Sequence, residues 1–337
     1  MNILFTCAGR RNYLLHYFRE SLNENDKIVA ADMQITAPAM AIADKPVVVP
    51  HVYSKNYVDI IIEICKCENV NAIISLNDLE LPVLAAEKSR FDDAGVKLII
   101  SDEKVIDICF DKYKTILFGK QLGIDLPETY LALNKAIEEI KIGNLRFPLV
   151  VKPRWGSASV GIEFPANFEM LELSYRLVCL KISGSILYEA SKQDPDNAVL
   201  IQEKINGTEY GLDILNDFSG RCVQVYVKEK LAMRAGETDK AILRNKPDLE
   251  DLGFRIGNAL GHIGNLDCDI FESDGRYYLL EMNPRFGGGY PFSHVAGANY
   301  PDAICTWIEG KDYCFDKFSR KYNQPFAKCD TLIRVLK

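Results

Sequence analysis

No apolar run in the 337 residues approaches the roughly 18–20 needed to span a bilayer, which excludes a helical membrane protein. A basic excess is missing too. Forty Lys and Arg stand against 47 Asp and Glu, a net charge of −7, whereas a face that neutralises nucleic-acid phosphates needs the opposite sign. Met1-Asn2-Ile3-Leu4-Phe5-Thr6 lacks the charged and apolar regions of a secretory leader, so a cytoplasmic setting is the expectation. The ten cysteines run from Cys7 to Cys329 without a disulfide framework, and most sit in apolar stretches such as Ile108-Cys109-Phe110, where a reduced thiol packs as a small hydrophobe. Cys65-x-Cys67 has the wrong spacing for a redox pair or a zinc knuckle. His16, His51, His262 and His294 stand at no ligand spacing from a cysteine, so no structural zinc is expected. Repeats, low-complexity tracts and long linkers are absent. What remains is 48% hydrophobic and 26% charged, the balance of a globular chain whose length divides into two or three core-forming units.

The first hundred residues alternate short apolar runs with helical patterns. Strands are expected at Asn2–Cys7, Lys27–Ala31, Ala72–Ser75 and Lys97–Ile100, and helices at Tyr13–Leu22, Tyr57–Cys67 and Leu81–Asp92. Such alternation implies a parallel sheet covered on both faces. Ala8-Gly9-Arg10-Arg11 follows the first strand where a dinucleotide fold carries its glycine turn, but no GxGxxG is present, and a tight turn explains the segment equally well. From Asp111 the character changes. Lys112–Leu122 reads as a helix stopped by Gly123, and Phe147–Pro153 as a strand. Further strands are expected at Val199–Glu203, Tyr210–Leu215, Val223–Lys228, Gly264–Phe271 and Arg276–Glu281, with a helix at Leu249–Leu260.

The chemistry concentrates in three places. Ser273-Asp274-Gly275 makes a hairpin of the strands around it, which sets Asp269 beside Glu281, with Asn283 two residues on and therefore on the same face. Two carboxylates and an amide oxygen converging on one face call for a cation, and hard Mg²⁺ takes such ligands together with substrate phosphates. Lys152 ends a strand and precedes a Gly/Ser-rich loop, Gly156 to Gly161. The loop can present backbone N–H groups to phosphate oxygens, but it is no Walker A and alone reads equally as a hairpin turn. Gln202-Glu203-Lys204-Ile205-Asn206-Gly207-Thr208-Glu209 is the third element, and alone it is only strand, turn and strand.

In order and at these spacings, Asp111-Lys112, Pro148-Leu149-Val150-Val151-Lys152-Pro153, Gln202-Glu203-Lys204-Ile205-x-Gly207-x-Glu209, Asp269 and Glu281-Met282-Asn283-Pro284-Arg285 resemble the ATP-grasp superfamily, in particular its carbamoyl-phosphate synthetase large-chain and biotin carboxylase branch. The resemblance implies an α/β fold: a parallel-sheet pre-ATP-grasp domain over residues 1–110 and a two-lobed ATP-grasp domain over 111–337, with lobes of about 111–200 and 201–337. It assigns Lys112 and Lys152 to ATP phosphates and the loop with Gly156, Ser157, Ser159 and Gly161 to a cover over them. Glu203, Lys204 and Ile205 fall to adenine and Glu209 to the ribose. Asp269, Glu281 and Asn283 fall to two Mg²⁺ ions, with Mn²⁺ an alternative, and Arg285 to the transferring phosphoryl group. The branch often has Glu where Asp269 stands.

The activity implied is an ATP-dependent joining of a carboxylate to an amine through an acyl phosphate, releasing ADP and phosphate. A carboxyphosphate-forming or kinase-type enzyme and a non-catalytic nucleotide-binding regulator are the alternatives. The expected partners are small molecules, not nucleic acid or membrane, with a homodimer left open. Lys228-x-Lys230-x-x-x-Arg234 to Lys240 reads as a polar loop between a strand and a helix, either plain surface or, through Arg234, a catalytic fork for a carboxylate. Whether Arg10, Asp78, Lys230 or His294 touches substrate is open from sequence. His294 reads more readily as a packed side chain than as a base, and Asn77 or Asp78 equally as a helix cap.

Overall fold

A computed structural model describes residues 1–156 and 161–337. The N-terminal strands β1 (Asn2–Thr6), β2 (Lys27–Asp32), β3 (Lys45–Val48), β4 (Ala72–Ser75) and β5 (Lys97–Leu98) form one parallel sheet in the order β3-β2-β1-β4-β5. Its central strands are apolar on both faces because both are covered. Ile3, Phe5 and Ala30 pack with Leu14 and Phe18 of helix Asn12–Arg19, and Leu4 and Val29 pack with Tyr57 and Ile61 of helix Tyr57–Cys67. The chain turns back at β1, which has β2 on one side and β4 on the other. At such a point the loops leaving the two strand ends diverge and open a crevice.

Sequence expectation and structure agree here with two differences. The helix expected over Leu81–Asp92 is two, Leu81–Ala86 and Lys88–Asp93, because Glu87 leaves helical geometry at φ −112°, ψ 16°. The unexpected strand β3 carries Pro46 on the sheet edge, where a missing N–H is tolerated.

A second sheet has β6 (Thr129–Tyr130), β7 (Leu149–Pro153) and β8 (Val199–Glu203) in the antiparallel order β6-β8-β7. Leu149, Val151 and Ile201 pack with Leu171 and Val178 of helix Phe168–Ser183, an element the sequence reading left unassigned. The third sheet is the largest, with β9 (Thr208–Asn216), β10 (Cys222–Arg234), β11 (Glu237–Leu243), β12 (Gly264–Ser273), β13 (Arg276–Asn283) and β14 (Pro325–Ala327) in the order β13-β12-β9-β10-β11-β14. The expected β12–β13 hairpin is present, with Asp274 and Gly275 at positive φ in its turn.

One expectation is corrected here. The segment from Lys228 to Lys240 is no loop between strand and helix. β10 runs on to Arg234, turns at Ala235-Gly236 and returns as β11. Its charges masked an alternation in which every second residue is committed to the face below.

That alternation makes the site. On one face of the large sheet Leu212, Ile214, Val225, Val227, Leu266 and Cys268 pack beneath Leu249, Leu252 and Ile256 of helix Pro247–Leu260. Glu209, Gly211 and Asp213, Lys228 and Lys230, Asp267 and Asp269, and Glu281 and Asn283 are the alternate residues and share the opposite face. Register aligns them, since Asp269 stands between Gly211 and Glu281, and Asp267 between Asp213 and Asn283. Helix Lys112–Gln121 also packs on this sheet, where the space of Gly119 is taken by Leu126 and Leu279, rather than joining the smaller sheet. The N-terminal sheet is welded to the C-terminal segment by Phe286, Tyr290 and Tyr300, which share the core of Phe5 and Phe18.

Candidate functional site

A cavity of about 740 Å³ opens between the three sheets. Among its lining residues are Lys112, Lys152, Gly156, Glu203, Lys204, Ile205 and Glu209, together with Asp269, Glu281, Asn283 and Arg285. The structure thus brings most of the residues singled out from the sequence to one cavity. Ser157 and Ser159 lie outside the described residues. Gly161 is not part of the lining and lies against Pro153.

Each cation is placed by a local device. Asp111 caps helix Lys112–Gln121 by accepting from the backbone N–H groups of Tyr113 and Lys114, and it also takes Nε and Nη2 of Arg154, both at 2.7 Å. Arg154 follows β7, so this fork ties the start of the helix to the end of the strand and brings Lys112 beside Lys152. The Lys112 ammonium donates to the Gly156 carbonyl and lies 3.7 Å from Glu281. Burial, with the Lys112 charge added, pushes the Lys152 ammonium down to about 8. A buried, lightly paired lysine is poised for an incoming anion.

The acidic side is equally unbalanced. Burial pushes the Asp269 carboxyl up to about 7, against the opposing pull of Lys230, which donates to Asp269 and to Glu209, each at 2.7 Å. Glu281 is also pushed up by burial, but Lys112 and a 2.9 Å bond from Asn283 Nδ2 outweigh it and hold the carboxyl below its ordinary value. Asn283 therefore spends its amide N–H on Glu281 and keeps its carbonyl oxygen. Among the described residues no three His, Cys, Asp or Glu side chains form a ready-made metal cluster. Two carboxylates and one amide oxygen are hard donors that fit a divalent cation whose remaining ligands come from phosphate.

Arg285 is held from two sides. Its Nη2 and Nε donate to Asp78 Oδ2 at 2.8 and 3.2 Å, and Nη1 lies 3.2 Å from Asp267. The two carboxylates outweigh burial and raise the guanidinium further above its ordinary value. Beneath this layer the buried Lys228 pairs with Asp213 at 2.6 Å, and Ser293 also donates to Asp213. The glycine run over these groups is dictated by contact. A Cβ on Gly287 would stand 2.1 Å from Asp267 Oδ2, and one on Gly211 would press on the side chains of Lys228 and Lys230 at 3.1–3.2 Å.

Besides Gly161, two candidates from sequence are not brought to the cavity. Arg234 is half exposed near the hairpin tip and pairs with Asp239 at 2.9 Å and Asp330 at 2.8 Å, because register shifts between Lys230 and Met233 break the alternation that puts Lys228 and Lys230 on the polar face. His294 stacks on Tyr17 with ring centroids 3.7 Å apart, and burial lowers it to about 4, so it is a packed, neutral histidine. Asp78 and Lys230, left open, do line the cavity, as do Arg10 and Arg11. Sequence reasoning missed Asp267 and Glu237, and Asp213 beneath the cavity. The signal available was the strand period: Glu209-x-Gly211-x-Asp213 and Asp267-x-Asp269 are each polar at alternate positions.

A crevice at the turning point of a parallel sheet, closed by two antiparallel sheets, defines the ATP-grasp architecture that the motifs resembled. Comparison with known proteins agrees. Residues 3–99 match the family model "PylC-like, N-terminal domain", and residues 196–324 match "ATP-grasp in the biosynthetic pathway with Ter operon". It is 25% identical over 208 residues to the carbamoyl phosphate synthase large chain of Clostridium beijerinckii, covering 58% of this chain and 18% of that one. The chain spans about a fifth of the length of such relatives. The biotin carboxylase of Campylobacter jejuni, solved in complex with β,γ-ATP, superposes with a TM-score of 0.74 at 16% identity, covering 96% of this chain and 74% of that one. The biotin carboxylase domain of Hydrogenobacter thermophilus 2-oxoglutarate carboxylase, a dimer with MgADP, ADP and bicarbonate, gives 0.72 at 17%, covering 96% and 73%.

Proposed function

We propose that this protein is an ATP-dependent ligase that joins a small carboxylate to an amine through an acyl phosphate, releasing ADP and phosphate. One observation carries the reading: two lysines from one side and Asp269, Glu281 and Asn283 from the other converge on one cavity that Arg285 also lines. Phosphoryl transfer is mostly positioning and charge neutralisation, and these residues are arranged for both.

Lys112 and Lys152 hold the phosphates. The backbone of Glu203 to Ile205 leads from β8 along the cavity wall and holds the adenine, with Glu209 near the ribose. Asp269, Glu281 and Asn283 would hold two Mg²⁺, or Mn²⁺, which when bound neutralise charge on the phosphates. Arg285 is held by Asp78 and Asp267 with its guanidinium fixed in place, and it binds the oxygens of the phosphoryl group and of the acyl phosphate. The MgADP named for the Hydrogenobacter thermophilus domain supports this assignment, and the dimer named there supports a homodimer for this chain. No helix among the described residues is long and apolar enough to cross a membrane. A cytoplasmic setting remains part of the proposal.

The phosphate assignment has a direct check. Lys152→Met removes the buried ammonium without leaving a cavity, and the loss of its charge-assisted bonds should weaken MgADP about tenfold or more. In the unsubstituted protein Lys152 is charged below pH 8 and neutral above it. The rise in melting temperature on adding MgADP should therefore shrink as pH passes upward through about 8 and be small at every pH in the variant. An undiminished ADP response in Lys152→Met would remove this lysine from the phosphate site.

The function itself is tested by a phosphate-release screen of carboxylates crossed with amines, with Mg-ATP and purified protein. Phosphate release that needs an organic carboxylate supports the ligase. Release that needs only bicarbonate favours the carboxyphosphate chemistry of the carboxylases it resembles in fold.

A further inference from the structure

The phosphate and metal chemistry leaves Lys230 without a task, although it lines the cavity and its side chain is only 5% exposed. Its ammonium sits between two carboxylates, 2.7 Å from Glu209 Oε1 and 2.7 Å from Asp269 Oδ1. The strand register shows how far it reaches. Lys230 stands on β10 two residues beyond Lys228, which is in register with Gly211 on β9, and Gly211 is in register with Asp269 on β12. The side chain therefore crosses a whole strand to meet Asp269. It can do so because Gly211 puts nothing in its path, whereas a Cβ there would stand 3.2 Å from Lys230 Cε.

Asp269 is also one of the three groups assigned to a divalent cation, and Oδ1 cannot serve both. A cation on the other oxygen would stand a few ångströms from the ammonium, and like charges at that range in a buried site repel strongly. Glu281, across the hairpin, is less contested. Its lysine, Lys112, lies 3.7 Å away, and Asn283 gives it only an amide N–H. Metal entry is thus disputed at Asp269. Nucleotide phosphates tip the balance, since they bring negative charge and oxygen ligands of their own. Lys230 need not leave the wall when they do, because Glu209 still holds it.

We propose that Lys230 competes with the metal for Asp269, so that a divalent cation binds this site together with nucleotide and not before it. The inference rests on the metal assignment made above and deepens it by setting the order in which the ligands bind. It does not depend on which reaction follows.

The probe is Mn²⁺, whose free ion is counted by its electron paramagnetic resonance spectrum in a titration of the nucleotide-free protein. The unsubstituted protein should bind it weakly. Lys230→Met should bind it at least about tenfold more tightly, because Glu209, Asp269 and Glu281 then share the wall without that ammonium. Lys230→Gln, which keeps a donor and loses the charge, is a second neutral variant and should gain affinity too. Lys230→Arg keeps the charge and should bind as weakly as the unsubstituted protein. Melting temperature gives an independent readout: Mn²⁺ alone should raise it in the two neutral variants and leave the other two proteins unchanged. A merely structural lysine would not behave this way, since damaged packing creates no affinity for a metal. Tight binding by the unsubstituted protein without nucleotide, or no gain in either neutral variant, would overturn the proposal. Failure of the metal assignment itself would show separately, as stabilisation by ADP that is the same with Mn²⁺ as with a chelator.

Discussion

Glu281→Gln should lose turnover by on the order of a thousandfold while MgADP binding changes by only a few-fold. The carboxylate sits across from Asp269 on the neighbouring strand, with Lys112 at 3.7 Å and Asn283 donating to it. Glutamine has the same shape, so the Asn283 contact and the strand pairing survive. What disappears is one negative charge in a site whose cations must be balanced as the phosphoryl group moves, and a charge-stabilising group in such a site is worth about two to three orders of magnitude or more. Binding suffers less because Lys112 and Lys152 remain. A variant with near-normal turnover at ordinary Mg²⁺ would take Glu281 out of the metal site.

The second large effect belongs to Arg285, and the choice of variant decides what it means. Arg285→Ala strips the buried Asp78 of its guanidinium partner and leaves Asp267 with only the nearby Lys228 and Lys230 charges to balance it, and stripping one partner from such a network costs about 3–5 kcal/mol. The alanine protein should be inactive and also melt many degrees lower, which says little about chemistry. Arg285→Lys keeps the positive charge between the two carboxylates and so most of the stability, but loses the planar fork. It should fold, bind MgADP and still turn over about a hundredfold or more slowly. Near-normal turnover in the lysine variant would mean that Arg285 serves the structure and not the transfer.

Legibility in the sequence followed the range of the interactions involved. The parallel sheet was readable because β1, β2 and β4 are short apolar runs bounded by helical patterns, and the β12–β13 hairpin because Ser273-Asp274-Gly275 is a turn at the right offset. From that hairpin alone, Asp269 and Glu281 fall opposite each other, as the register shows. Lys228 to Arg234 failed for the opposite reason. Its lysines are strand residues neutralised across the sheet by Asp213, Glu209 and Asp269, and nothing local distinguishes a cross-strand ion pair from a solvated loop. Arg234 read as a site residue because its partners, Asp239 and Asp330, cannot be paired with it from sequence. The Asp78–Arg285 bridge joins residues from the first sheet and the end of the last hairpin, so only the folded chain brings it together.

Trapping the activated carboxylate with hydroxylamine tests the central claim most directly. An acyl phosphate is an activated ester, and a small strong nucleophile can stand in for the natural amine once the correct carboxylate is present. Purified protein is incubated with Mg-ATP, the carboxylate that supports phosphate release and hydroxylamine, and the nucleotide products are separated. The account expects a hydroxamate formed only with ATP and Mg²⁺, in equal amount to ADP and phosphate, and strongly reduced in Arg285→Lys. AMP and pyrophosphate in place of ADP and phosphate would contradict it.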